Sequence, residues 1–201
     1  TVTNLGDRKS RQMIRRSKKI NPNGIVAVVG CYAQTASDEI SKIEGVNLII
    51  GTKDRSRIIE FVNNLEQEKQ QINAVDDIMR TREFEDMQIT TYKGRTRAFL
   101  KIQEGCNQFC SYCIIPYARG PIRSRKPESI IDEVRRLAEN GFKEIVLTGI
   151  HVASYGKDLK NTDLIDILQK IHDIQGIERI RLSSLEPTLI TDEFVEYVRS
   201  M

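Results

Sequence analysis

Three cysteines lie within eight residues: Cys106, Cys110 and Cys113, in the run Cys-Asn-Gln-Phe-Cys-Ser-Tyr-Cys. Thiolates separated by three and then two residues can converge on one soft metal centre. A disulfide framework does not suit the odd local number, and nothing in the sequence points to secretion. Two metal chemistries stay open. Zinc asks for four ligands, so Cys31 or His151 would have to complete a structural site. A cubane iron–sulfur cluster held by three thiolates instead leaves one iron without a protein ligand, where a substrate or cofactor can bind.

A loop with this chemistry needs rigid elements behind it. Residues 98–103 read as a strand feeding directly into the cysteines. After the loop come a helix over 127–140 stopped by Gly141, a strand over 144–147, a loop through Gly156, a helix over 163–174, a strand over 179–182 and a helix from Asp192. Three β/α repeats in one direction predict the first half of a (β/α) barrel, a fold that gathers its active site at the C-terminal ends of its strands.

Upstream, residues 8–20 read as a helix ended by Asn21-Pro22-Asn23-Gly24. Residues 25–29 and 46–50 read as buried strands, 37–44 and 55–65 as helices. That order predicts a separate parallel α/β unit. The polar, mixed-charge stretch 66–94 reads as a linker, with a strand or hairpin near 87–92. The predicted organisation is residues 1–65, linker 66–94 and residues 95–201. With no initiator Met and an end inside an amphipathic pattern, the chain is expected to be a fragment of a longer protein.

Lysine and arginine total 31 against 28 acidic residues, a net charge of +3, but the surplus is concentrated. Residues 1–24 hold seven basic side chains against Asp7 alone, and residues 93–126 hold eight against Glu104 alone. Such blocks favour a polyanionic partner such as nucleic acid, or form a solvated basic face. The longest apolar stretch, residues 25–31, is broken by Gly30 and falls far short of the about 20 residues of a membrane span. The polar, basic start lacks the apolar segment of a signal peptide, so the expected location is the cytoplasm. His172 reads as an ordinary helix residue, whereas His151 ends a strand near the expected barrel mouth. No Ser-His-Asp arrangement, phosphate loop or Gly-rich dinucleotide fingerprint is readable.

The cysteine run, with the aromatic Tyr112 before the last Cys and a strand before the first, resembles the radical S-adenosylmethionine signature. Several stretches resemble the methylthiotransferase family: Gln103-Glu104-Gly105-Cys106, Cys113-Ile114-Ile115-Pro116-Tyr117-Ala118-Arg119-Gly120, Arg123-Ser124-Arg125 and Gly30-Cys31-Tyr32-Ala33-Gln34. The likeness runs over essentially the whole chain. Leu147-Thr148-Gly149-Ile150-His151, followed by Ser154-Tyr155-Gly156, resembles the branch acting on threonylcarbamoyladenosine in tRNA. The alternative branches act on isopentenyladenosine in tRNA or on a ribosomal-protein aspartate. The alternative of another class is a zinc-stabilised nucleic-acid-binding module without catalysis.

The resemblance implies an α/β fold: a parallel α/β methylthiotransferase domain followed by the first half of a radical SAM TIM-like barrel. It implies a [4Fe-4S] cluster on Cys106, Cys110 and Cys113, whose open iron is chelated by S-adenosylmethionine and which generates a 5′-deoxyadenosyl radical. Tyr112 would lie against the adenine, with Thr148, Gly149 and Ser183 at the cofactor-binding mouth. A second [4Fe-4S] cluster takes three cysteines in the family, and Cys31 matches one of them. The family has another Cys just before a Thr-Val-Thr-like run, and this sequence opens at Thr1-Val2-Thr3, so the fragment is expected to lack activity by itself. The implied partners are tRNA, S-adenosylmethionine and an electron donor such as flavodoxin or ferredoxin. Arg119, Arg123 and Arg125 are expected on phosphate or cofactor.

Overall fold

A computed structural model describes all residues except Thr1, Lys69, 88–95, Ser184, Thr188, Leu189 and Met201, and the side chains of Glu66 and Glu68. The strand expected near residues 87–92 therefore lies almost wholly outside the described residues. The chain divides into two compact units, Thr1–Thr81 with Gln108–Pro121, and Arg82–Asn107 with Ile122–Met201. Among the described residues, no helix is long and apolar enough to cross a membrane.

The first unit opens with α1 (Asn4–Ile20), one turn longer than the sequence pattern suggests. Thr3 supplies the N-terminal cap by accepting a hydrogen bond from Gly6 N at 3.2 Å, and Asp7 complements the positive end of the helix dipole. At the other end Pro22 cannot continue the helix. The strands β1 (Ala27–Val29), β2 (Leu48–Ile50) and β3 (Ile72–Ala74) form a parallel sheet in that spatial order. The third strand falls in the stretch expected to be linker. Three residues with Asn73 in the middle show no periodicity from which a strand could be read.

The central strand β2 is sealed on both faces. Ile49 packs with Ile14, Val28 and Ile40, whereas Leu48 and Ile50 pack with Leu65 and Phe61 of the helix α4 (Ile58–Glu68). Between β1 and β2 run two short helices, α2 (Cys31–Thr35) and α3 (Ser37–Ser41). A further short helix, α5 (Ile115–Arg119), belongs to this unit and lies against α2.

The second unit contains β4 (Arg97–Lys101), a two-stranded antiparallel pair of β5 (Gln103–Glu104) and β6 (Arg123–Ser124), and then α6 (Pro127–Glu139). β7 (Glu144–Thr148), α7 (Leu164–His172), β8 (Arg179–Leu182) and α8 (Asp192–Ser200) complete it. Strands β4, β7 and β8 are parallel, in that order, which is the β/α series expected of a partial barrel wall. Strand alternation sorts the side chains. Ala98, Leu100, Ile145 and Leu147 meet Ile130 and Val134 of α6 and Ile167 and Ile171 of α7 in one core. Burying each of the Leu, Ile and Val side chains among them stabilises the fold by roughly 1.5–3 kcal/mol.

The opposite face of this sheet is mainly charged and polar, with Phe99 and Val146 between the charged rows. Its rows follow the register: Arg97, Glu144 and Arg179, then Phe99, Val146 and Arg181, then Lys101 and Thr148. Glu144 gathers three arginines, at 2.9 Å from Arg97 Nε, 3.4 Å from Arg181 Nη1 and 3.7 Å from Arg179 Nη1. Desolvation pushes its pKa up, but the hydrogen bonds and charges of Arg97 and Arg181 outweigh that, and the net shift is downward.

Candidate functional site

The cysteine loop begins where β5 ends. Gly105 adopts φ +76°, a backbone region closed to most residues, and Cys106 follows it. Asn107 Oδ1 then accepts from Ile122 N at 3.1 Å, closing the base of the loop. Phe109 has a left-handed φ of +48°, uncommon for an aromatic residue, and its ring meets Tyr117 edge-on with centroids 5.7 Å apart. A turn bond from Cys113 N to Cys110 O at 2.9 Å brings the last two cysteines close along the chain. Cys106, Cys110 and Cys113 are free and half-buried, and Tyr112 is 90% exposed.

Among the described residues, no three His, Cys, Asp or Glu side chains converge on a single ion position. His151 is also committed elsewhere. Its Nδ1 lies 2.6 Å from Ser154 Oγ and its Nε2 3.0 Å from Glu186 Oε2, so neither ring nitrogen is directed at a metal. The donor set fits an iron–sulfur cluster. Three thiolates on one loop without helix or strand can each take a different iron, and no shared vertex is needed.

Cys31 stands apart on α2, as its first residue. Gly30 before it takes φ +105° and donates to Ile50 O at 3.1 Å, so the chain leaves β1 and turns into the helix at once. The Cys31 thiol is free and half-buried at a strand's C-terminal end, where α/β sheets present ligand sites.

At the barrel mouth, Thr148 is the last residue of β7 and its carbonyl accepts from Ile102 N at 2.9 Å. Thr148 also lines a cavity of about 220 Å³ with Phe84, Phe99, Lys101 and Arg125. Gly149 is packed against Gln103, whose Oε1 would lie 2.9 Å from any Cβ added there. Ser183 directly follows β8, its N–H bonded to Leu147 O at 3.1 Å.

Two of the three arginines expected on phosphate or cofactor are buried. Arg123 is 2% exposed and pairs with the equally buried Glu104 at 3.7 Å. Arg125 Nη2 sits 2.6 Å from Asp86 Oδ1 and 2.5 Å from Glu133 Oε2. Arg119, in the last turn of α5, is half-buried. Counting charges along the sequence cannot show that Glu133, Asp86 and Glu104 would be folded against these guanidinium groups. Ser154-Tyr155-Gly156 likewise turns inward. The Tyr155 hydroxyl donates to Arg125 O at 2.9 Å, Gly156 N donates to Ser124 Oγ at 2.9 Å, and burial raises the Tyr155 pKa.

A family model described as the radical SAM superfamily matches residues 100–201, the part of the chain that holds the cysteine loop and the three parallel strands. The chain belongs to the radical SAM superfamily. A second model, described as uncharacterized protein family UPF0004, matches residues 1–51. Membership of the radical SAM superfamily implies an iron–sulfur cluster and S-adenosylmethionine as cofactors.

Among curated relatives of this radical SAM chain, the threonylcarbamoyladenosine tRNA methylthiotransferase MtaB of Bacillus subtilis is 49% identical over 197 residues, covering 98% of this chain and 44% of that protein. The MtaB of Aquifex aeolicus is 40% identical over 200 residues, covering 100% of this chain and 48% of that protein. The tRNA-2-methylthio-N(6)-dimethylallyladenosine synthase of Clostridium beijerinckii is 37% identical over 190 residues, covering 92% and 41%. The chain thus spans somewhat under half the length of these relatives.

Proposed function

We propose that this chain is the cluster-bearing part of a tRNA methylthiotransferase that acts on carbon 2 of N6-threonylcarbamoyladenosine next to the anticodon. One observation carries the substrate: identity to the protein named for threonylcarbamoyladenosine is 49%, against 37% to a protein named for dimethylallyladenosine. Cys106, Cys110 and Cys113 hold the cluster, which when bound supplies the electron that cleaves S-adenosylmethionine. Thr148, Gly149 and Ser183 stand at the strand ends, where a barrel presents its ligand site. Tyr112, almost wholly exposed, is available to lie against an adenine ring. Cys31 would contribute one ligand to a second cluster, and the electron would come from a small redox protein of the flavodoxin or ferredoxin kind.

The tRNA reading is supported on the first unit. Arg11, Arg15, Lys18 and Lys19 of α1, with Lys42, line an open cleft of about 730 Å³ in which Glu39 and Glu44 are the only acidic lining residues. Lys18 lies flat across Gly45, whose missing Cβ would otherwise stand 2.5 Å from Lys18 Cγ. Five cations in one cleft suit a phosphate backbone. With Arg123 and Arg125 buried, this cleft and Arg119 are the surfaces proposed to meet RNA. A tRNA-modifying enzyme works in the cytoplasm, which is the proposed location.

The deciding experiment supplies protein containing this sequence, reconstituted anaerobically, with S-adenosylmethionine, sulfide and reductant. Its substrates are tRNAs bearing either threonylcarbamoyladenosine or dimethylallyladenosine. Nucleoside mass spectrometry showing methylthio addition to the first supports the proposal. Addition only to the second would reassign the branch. Stoichiometric zinc in place of iron would favour the binding-module reading.

A further inference from the structure

We propose that Gln103 is a positioning residue for the cofactor end of this site, fixing the chain that enters Cys106 to the turn that follows β7. The inference rests on the superfamily reading of the cysteine loop. Gln103 has no exposed surface, and its amide is bonded entirely to backbone. Its Nε2 donates to Glu104 O at 2.9 Å and to Gly105 O at 2.7 Å, and its Oε1 accepts from His151 N at 2.8 Å. An amide can make four hydrogen bonds, and three are made here, each to a backbone atom within three residues of Cys106 or of Thr148 and Gly149.

The placement is tight as well as bonded. A Cβ at Gly149 would meet Gln103 Oε1 at 2.9 Å, Gln103 Cβ at 3.0 Å and Gln103 O at 3.1 Å. His151 extends the link, because its ring joins Ser154 and Glu186, and Glu186 lies beyond β8. One buried amide therefore ties the segment that follows β4 and enters Cys106 to the turn after β7, and the His151 ring carries the link on to Glu186 beyond β8. β4, β7 and β8 are the parallel strands whose C-terminal ends face a ligand in a barrel. An apolar side chain of the same length would fill the space but leave two carbonyls and one N–H without their partner. Groups that orient a ligand without touching it typically matter by ten- to a hundredfold.

The test compares the chain with its Gln103→Met and Gln103→Glu variants, first without metal. Hydrogen exchange should speed up at the His151 amide in Gln103→Met while the Ile145 and Leu147 amides keep their protection. After anaerobic loading with iron and sulfide, the variant should retain its iron, yet need at least about tenfold more S-adenosylmethionine to change the electron paramagnetic resonance spectrum of the reduced cluster. Gln103→Glu keeps the acceptor for His151 N but sets a carboxylate against two carbonyl oxygens, and should weaken that response further. If Gln103→Met does not fold, Gln103→Asn, whose amide is one methylene too short to keep all three bonds, is read in the same way. An unchanged response in a variant whose His151 amide has lost protection would overturn the proposal. Failure of the unsubstituted chain to take up iron would overturn the reading of the cysteine loop, and leave Gln103 a residue of the fold alone.

Discussion

Arg125 Nη2 and Glu133 Oε2 are 2.5 Å apart, with both side chains at least 97% sequestered from solvent, and Asp86 approaches the same nitrogen at 2.6 Å. Removing one member of such a pair leaves a charge that neither water nor a full partner can satisfy. Glu133→Ala should therefore destabilise the chain by about 3–5 kcal/mol. Urea denaturation of the unmetallated chain checks this. A midpoint unchanged from the parent would show that Asp86 alone suffices. The same result governs how Arg125 variants are read, because lost RNA binding in an Arg125→Glu protein would report damage to the fold.

The cysteines should behave in the opposite way. They are half-buried and bonded to little, so single Ala substitutions at Cys106, Cys110 or Cys113 should leave the unmetallated chain folded. Iron uptake on anaerobic loading should fall from about four per chain to near zero in each. Cys31→Ala should leave that count unchanged, since Cys31 stands on α2, outside the cysteine loop. Iron retained by all three single variants would argue against the loop as the cluster site.

Glu144 predicts a pH dependence with a definite sign. Its folded pKa lies below the ordinary carboxylate value because Arg97 and Arg181 outweigh the cost of desolvation. The stabilisation is fully present above the unfolded carboxylate range, near pH 4 to 5, and is lost as pH falls through the lower folded value. Glu144→Gln should flatten that part of the curve of denaturation midpoint against pH. Equal slopes in the two proteins would show that other carboxylates carry the acid sensitivity.

For the α1 cleft, Arg15→Glu and Lys18→Glu should weaken tRNA binding and reduce the slope of log affinity against log salt by about one per lost phosphate contact. Filter binding across a salt series reads both quantities. Identical slopes for the parent and the double variant would remove the cleft from the RNA surface.

How much of this was readable beforehand depended on the length scale of each signal. The helices α6 and α7 and the strands β7 and β8 repeat their apolar pattern over several residues, and the sequence reading places them close to where they stand. The β5–β6 pair has two residues per strand, and α2 and α5 have five each, too short for any periodicity to accumulate. The cysteine spacing was legible because the ligands are neighbours in sequence. Glu133 and Glu186 were not, because what defines them is a tertiary partner: Glu133 is turned inward on α6 against Arg125, which precedes the helix, and Glu186 faces His151 across 35 residues. Gln103 was visible only as a letter in a motif, since nothing local shows that its amide reaches His151.

Among the described residues, β8 stands at the margin of its sheet, with β7 on one side only. The alternation Arg-Ile-Arg-Leu turns Ile180 and Leu182 toward the core and Arg179 and Arg181 to the other face. Both arginines bind Glu144 of β7, and Arg97 of β4 binds it too, so a single carboxylate clips three neighbouring strands together on the face opposite the core.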